Sequence, residues 1–280
     1  MSLPPASLAD LPPLRESLEQ HDLLAKKAFG QHFLLDLNIT RKIARLAGPL
    51  EGRTVVEVGP GPGGLTRALL EAGARVVAVE KDPRFVPLLS ELSEASGGAL
   101  TIVQADALKV DEAALARSVG DDGDGLIVAN LPYNVGTPLL IKWLTGPWRP
   151  ISMSLMFQKE VADRIAAPVG SDAYGRLAVI SQAICRCQVV MDLPARAFTP
   201  PPKVNSAVVR LDPLEDAPSA RTIAALEKVT AAAFGQRRKM LRSSLKTLGG
   251  AALCEKAGID PDARAETIDV PGFLRLADAL

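Results

Sequence analysis

Residues 130–133, Asn130-Leu131-Pro132-Tyr133, hold the side chains best suited to chemistry on a reluctant amine. An exocyclic adenine N6 is a poor nucleophile, because its lone pair spreads into the ring. A catalyst acting there must offer acceptors to both N–H bonds, so that the nitrogen can pyramidalise. The Asn130 amide oxygen and the Leu131 backbone carbonyl can supply them. Pro132 stiffens the turn, and Tyr133 presents an aromatic face to a base. By itself the tetrapeptide reads equally well as an ordinary Asn-Pro turn with a packed tyrosine.

A second stretch, T-V-V-E-V-G-P-G-P-G-G-L-T-R-A-L-L over residues 54–70, supplies what that chemistry would need. Residues 54–58 read as a buried strand, and Gly59, Gly61, Gly63 and Gly64 as a turn almost without side-chain bulk. Leu65, Ala68 and Leu69 start a helix. Gly59, Gly61 and Gly64 also satisfy G-x-G-x-x-G, and Glu80 lies about 20 residues on, where a dinucleotide or another nucleoside cofactor wants a carboxylate for its ribose. Pro60 and Pro62 remove N–H donors that a pyrophosphate would require. Glu57, just before the turn, repels phosphate and attracts an ammonium or sulfonium, by roughly 4 kcal/mol at about 4 Å and an effective dielectric of about 20 before desolvation. S-adenosylmethionine carries both cations and no phosphate. Its sulfonium is a good leaving group, so in-line positioning suffices without a strong general base. The alternative is a glycine turn that only lets a helix pack on a strand.

The elements that must position these groups follow in order. Strands are expected at 75–80, 100–104, 126–129 and 151–158, alternating with helices at 83–93, 138–144 and 159–167. That is a parallel sheet whose carboxyl edge collects Gly59, Glu80, Asp106 and Asn130. After a helix at 176–184, strands at 185–192 and 204–211 form an antiparallel edge. The polar, proline-rich residues 212–219 read as a linker, and 221–280 as a small helical unit. At the amino end, 1–13 read as loose, 14–25 as a helix and 38–47 as another. His32 reads locally as a loop histidine.

Composition narrows the partners. In 280 residues there are 32 basic and 32 acidic side chains, which argues against a strongly basic nucleic-acid binder. Residues 181–250 nevertheless carry about 11 basic against 5 acidic groups, enough for a basic patch. Arg237, Arg238, Lys239 and Arg242 are its candidates for phosphate contact, with Arg238 and Arg242 expected on one helix face. The three cysteines lack metal-ligand spacing, no metal is expected, and neither a membrane span nor a signal peptide is evident, so a reduced cytoplasmic protein is expected.

F-G-Q-H-F-L, V-E-V-G-P-G-P-G-G-L-T, V-E-K-D, Q-A-D-A, N-L-P-Y-N-V-G-T-P-L-L, Q-K-E-V-A-D-R-I, Y-G-R-L, F-T-P-P-P-K-V-N-S-A-V-V-R-L and F-G-Q-R-R-K-M-L-R-S-S-L occur in that order. With them the chain closely resembles the KsgA-type rRNA adenine N6,N6-dimethyltransferases from about residue 26 to its end. The resemblance implies an α/β, Rossmann-like class I S-adenosylmethionine-dependent methyltransferase sheet, mostly parallel with an antiparallel edge strand, over residues 26–212. It implies a C-terminal all-α RNA-recognition domain over 213–280; residues 1–25 form an extension without an assigned role. It implies dimethylation of two adjacent adenosines in the 3′-terminal hairpin loop of 16S rRNA in the 30S precursor, by a cytoplasmic monomer. Carried over by motif, His32 and Leu34 close over the cofactor, Gly59 faces its methionine part, Glu80 its ribose and Asp106 its adenine. Asn130 touches cofactor and target, Leu131 supplies the second acceptor, and Tyr133 and Phe198 flank the flipped base. The family often has Asn where this chain has His32. The F-G-Q-R-R-K segment, Y-G-R-L and F-T-P-P-P favour this type over Erm-type large-subunit enzymes, and the intact cofactor motifs favour it over a non-catalytic assembly factor.

Overall fold

Runs of β-branched residues with no polar face fold as strands only where helices cover both sides of the sheet. In the computed structural model, which describes residues 7–23, 32–120, 125–236 and 238–280, they do so here. The elements in chain order are α1 (Leu14–Gln20), β1 (Phe33–Leu34), α2 (Leu37–Leu46), β2 (Thr54–Val58), α3 (Gly64–Glu71), β3 (Arg75–Glu80), α4 (Val86–Ala95), β4 (Leu100–Gln104) and α5 (Glu112–Ser118). Then come β5 (Leu126–Asn130), α6 (Gly136–Thr145), β6 (Met153–Gln158), α7 (Lys159–Ile165), α8 (Arg176–Ile184), β7 (Cys185–Leu193), β8 (Phe198–Thr199) and β9 (Ser206–Pro213). The chain ends in α9 (Ala220–Phe234), α10 (Leu241–Ser244), α11 (Gly250–Lys256) and α12 (Val270–Asp278).

Seven strands form one sheet in the order β4-β3-β2-β5-β6-β9-β7. β4 through β6 run parallel, with Val56 opposite both Val77 and Ile127. β9 is antiparallel to β6 and to β7, so the antiparallel pair stands at the expected edge with the reversed strand second from the rim. The chain leaves β2 outward through β3 and β4, then returns to lay β5 on the other side of β2. The order therefore reverses between β2 and β5, and the crevice beyond their carboxyl ends is where such sheets take ligands. A separate two-stranded ribbon pairs Phe33 with Thr199 and Leu34 with Phe198.

The helices after β9 share their core with the sheet. One buried cluster runs from Ile127, Leu139, Trp143 and Ala183 into Leu226, Leu241, Leu253 and Phe273, and Tyr174 donates to the Ile268 carbonyl at 2.9 Å. Differences from the sequence expectation are local. The helix after β3 opens with a 3-10 turn at Pro83–Phe85, where the Asp82 side chain caps the Arg84 N–H. Residues 8–10 form a short 3-10 turn held by Ser7 and Asp10. Arg238 and Arg242 do not share a helix face. α9 ends at Phe234, Met240 is extended and bridges Arg264, and α10 starts anew at Leu241. Residues 24 and 25 of the expected amino-terminal helix lie outside the described residues, as does Arg237.

One polar cluster fastens the loop after β4 to α6. Lys142 Nζ donates to the Ala107 and Val110 carbonyls at 2.8 and 2.6 Å and to both Glu112 oxygens at 2.7 and 2.9 Å. Trp143 Nε1 donates to the same carboxylate at 2.8 Å, and Glu112 is buried. Replacing Glu112 with Ala leaves the Trp143 indole N–H without its acceptor and the Lys142 ammonium with two carbonyls but no counter-charge, and is expected to cost about 2–3 kcal/mol. Urea unfolding measures it; a loss below about 0.5 kcal/mol would class the pair with ordinary surface bridges.

Candidate active site

The crevice between β2 and β5 opens into a cleft of about 560 Å³. Four segments line it: the glycine turn after β2, the end of β3 with Asp82 and Phe85 beyond it, the Asn130–Asn134 turn after β5, and β1 with Phe198 of its partner strand β8. Glu57, Glu80 and Asp82 supply its acids, and among the described residues no Lys or Arg lines it.

The glycine turn is shaped by backbone that only glycine adopts without strain. Gly59, Gly61 and Gly63 have φ of +69°, +53° and +82°. Gly64 needs its missing side chain for another reason: a Cβ there would sit 2.6 Å from the Leu34 carbonyl oxygen. The strap carrying β1 thus lies directly on the first turn of α3. Glu57 is 1% exposed and accepts from Thr66 Oγ1 at 2.7 Å. Burial pushes its carboxyl up to about 8, the Thr66 hydroxyl opposes the rise, and Glu80 adds to it. Glu80 accepts from Gly61 N at 3.0 Å and from Asp82 N at 2.8 Å. Burial raises its pKa as well, against the pull of these N–H groups.

On the other wall the Asn130 side-chain amide and the Leu131 carbonyl have no hydrogen-bond partner among the described residues. Pro132, by contrast, accepts from Val135 N and Gly136 N, which closes the turn into α6. Tyr133 is held at its hydroxyl by Ser206 Oγ, 2.7 Å away, and burial raises its pKa. Its ring lies 6.1 Å from that of His32, at 30°. His32 Nδ1 is 2.7 Å from the Pro200 carbonyl oxygen. A carbonyl only accepts, so Nδ1 carries the proton.

His32, Leu34, Gly59, Glu80, Asn130, Leu131, Tyr133 and Phe198 therefore meet at one cleft. Asp106 is not among its lining residues. It sits beyond β4, with Oδ2 on Lys81 Nζ at 3.0 Å and Oδ1 accepting from Leu108 N. The Lys81 ammonium and that N–H hold its carboxyl below the usual range. Arg238, Lys239 and Arg242 are exposed and do not line the cleft, and Arg242 pairs with Asp262 at 2.8 Å. Sequence reasoning missed Phe33 and Phe85, which meet edge to face with centroids 5.6 Å apart in the cleft wall. It also missed Ser206, the Tyr133 anchor. An apolar residue directly after V-E-K-D-P-R, in the first turn beyond a strand's carboxyl end, was the available signal for Phe85. Among the described residues, no group of acids, histidines or cysteines could hold a metal ion, and no helix is long and apolar enough to cross a membrane.

A sequence model of the ribosomal RNA adenine dimethylase family matches residues 23–280. A Phenylobacterium zucineum protein named ribosomal RNA small subunit methyltransferase A is 70% identical over 273 residues, 98% of this chain and 94% of that one. A Caulobacter vibrioides protein of the same name is 71% identical over 256 residues, 91% and 97% of the two chains. Among solved structures, a dimethyladenosine transferase from Plasmodium falciparum matches with a TM-score of 0.72 at 25% identity, over 88% of this chain and 96% of that one. The 23S rRNA methyltransferase ErmE matches at 0.67 and 24%, over 89% and 99%, a likeness of fold.

Glu57 has a consequence for stability. It ionises near an ordinary 4.5 when unfolded and near 8 in the fold. Between those values the folded state holds the extra proton, so its stability falls as pH rises and levels off above about 8. Glu57→Gln is expected to flatten this fall in denaturant titrations across the same interval. A variant that keeps the wild-type slope would assign the titration to another group.

Proposed function

The chain belongs to the ribosomal RNA adenine dimethylase family, and we propose from that premise that the cleft seats the methyl donor against the glycine turn and an extruded adenosine against residues 130–133. It is an S-adenosylmethionine-dependent rRNA (adenine-N6,N6)-dimethyltransferase, acting on two adjacent adenosines of the small-subunit rRNA. The observation that carries the reading is the juxtaposition at the β2/β5 reversal of a cation-favouring turn with two unpartnered acceptors.

The lining chemistry fits the donor. Glu80 and Asp82, with no Lys or Arg among the described lining residues, suit a cation without phosphate. Both Glu80 oxygens already accept N–H groups, yet a carboxylate offers about four lone-pair directions, which leaves room for the ribose hydroxyls. In this reading Gly59 faces the methionine part, His32 and Leu34 close over it, and Asp106 accepts from the cofactor's adenine beside the Lys81 bridge. When bound, S-adenosylmethionine supplies an electrophilic methyl on a good leaving group. The chain's own part is positioning. The Asn130 amide and the Leu131 carbonyl take the two N6 hydrogens, which localises the lone pair on nitrogen. Tyr133, fixed by Ser206 and flanked by His32, stacks on the base, with Phe198 as the second aromatic face. An oriented amine beside an activated methyl needs no strong base.

The substrate is taken to be the rRNA within the 30S precursor in the cytoplasm, and the enzyme to act as a monomer. The region after residue 213 carries the RNA-facing cations, with Arg237, Arg238, Lys239 and Arg242 on phosphates.

Asn130→Ala is expected to abolish transfer of labelled methyl to 30S particles while only weakening donor binding; near wild-type turnover would defeat the mechanism. Replacing Arg238, Lys239 and Arg242 together with Ala should flatten the log–log salt dependence of rRNA binding by about 2 to 3, roughly one unit per lost phosphate contact. An unchanged slope would remove these residues from the interface.

A further inference from the structure

Helix α1 precedes every motif that carries the family resemblance, yet its side chains back the wall of the cleft. Leu18 is 1% exposed and packs in a cluster with Phe33, Phe85, Leu88 and Leu89. Phe33 and Phe85 also line the cleft as an edge-to-face pair, whereas Leu18, buried in the same cluster, is not among the lining residues.

Three further ties hold the segment in place. Arg67, 6% exposed in α3, donates from Nη1 to the Pro12 carbonyl at 2.8 Å. A guanidinium taken out of water requires such an acceptor, and the amino-terminal segment provides it. Leu14 Cδ1 lies 3.1 Å from the point a Gly64 Cβ would occupy, and the Leu34 carbonyl lies 2.6 Å from that same point. The first turn of α3 is thereby enclosed between the segment and the strap. At the far end, His21 Nε2 meets Glu91 Oε1 of α4 at 3.0 Å.

We propose that residues 7–23 form a brace whose Leu18 positions Phe33 and Phe85 and thereby sets the affinity of the cleft for the methyl donor. This rests on the assignment of the cleft to that donor. Packed interiors do not deform continuously, so a cavity behind an aromatic pair lets the rings settle into it. The loss then falls on the donor side of the cleft. The turn at residues 130–133, held by α6 and Ser206, is left in place.

The test is calorimetric titration of the full-length protein with S-adenosylmethionine, together with steady-state kinetics on 30S particles and thermal unfolding. Leu18→Ala is expected to raise Kd and KM for the donor by about tenfold, within the range of coupling between distinct sites, while kcat at saturating donor and KM for 30S stay unchanged. Leu18→Met, which refills the space, restores the donor constants. Val229→Ala, a buried truncation in α9, lowers stability without moving them. His21→Ala, which leaves the core intact, shifts the donor Kd in the same direction and decides the matter alone should Leu18→Ala fail to fold. Donor constants unchanged in the folded variants, or moved equally by Val229→Ala, overturn the brace. A wild-type protein that does not titrate S-adenosylmethionine overturns the assignment of the cleft as well.

Discussion

Two carboxylates withheld from water at the ends of adjacent parallel strands set the terms for everything around them. Glu57 faces the first turn of α3, and Glu80 faces the glycine turn. An acid in that position must be satisfied by N–H and hydroxyl donors or neutralised by a proton or a cation. The chain meets the demand with Thr66 Oγ1 and with the N–H groups of Gly61 and Asp82. That solution fixes where α3 begins, how tightly the turn closes, and which residues tolerate a side chain. Among the described residues no Lys or Arg lines the cleft, which favours a cationic ligand there. Binding preference and local fold here have the same electrostatic origin.

The opposite wall works by rigidity. Asn130 and Leu131 keep acceptors without internal partners, an arrangement that costs stability in a folded protein unless water or a ligand meets them. Their neighbours are held fast instead: Pro132 is tied into α6, Tyr133 to Ser206, and His32 to the Pro200 carbonyl. Strain-free donors and acceptors in fixed places are what a reaction governed by positioning requires. The Lys142–Glu112 cluster extends this order outward, since it joins the loop beyond Asp106 to the helix that follows the turn at residues 130–133.

The carboxyl-terminal helices show how composition and packing differ as evidence. The polar, proline-rich residues 212–219 and the alanine-rich stretch after them read as a linker and a separate unit. Packing runs one apolar cluster through α8 into α9 and α12. The basic residues near 238 sit where α9 has ended and the chain turns, and Arg242 shares its charge with Asp262. Their spacing along the sequence therefore says little about the surface they present.

What the sequence determined by itself was local and periodic. Apolar runs ending at polar residues placed the strands within a residue or two, the glycine turn announced a close backbone approach, and Asn130 to Tyr133 offered an acceptor pair beside an aromatic face while reading equally well as an ordinary turn. These signals survive because strand, turn and helix preferences act between near neighbours. Only the tertiary structure decided which distant segments meet: β1 paired with β8, Phe33 set against Phe85, Ser206 fixed on Tyr133, Asp106 bridged to Lys81. It also brought Leu18, from a stretch without a motif, behind the cleft-lining rings. Such contacts join residues up to some 165 positions apart in the chain, and burial of complementary surfaces, which has no signature in local spacing, selects them.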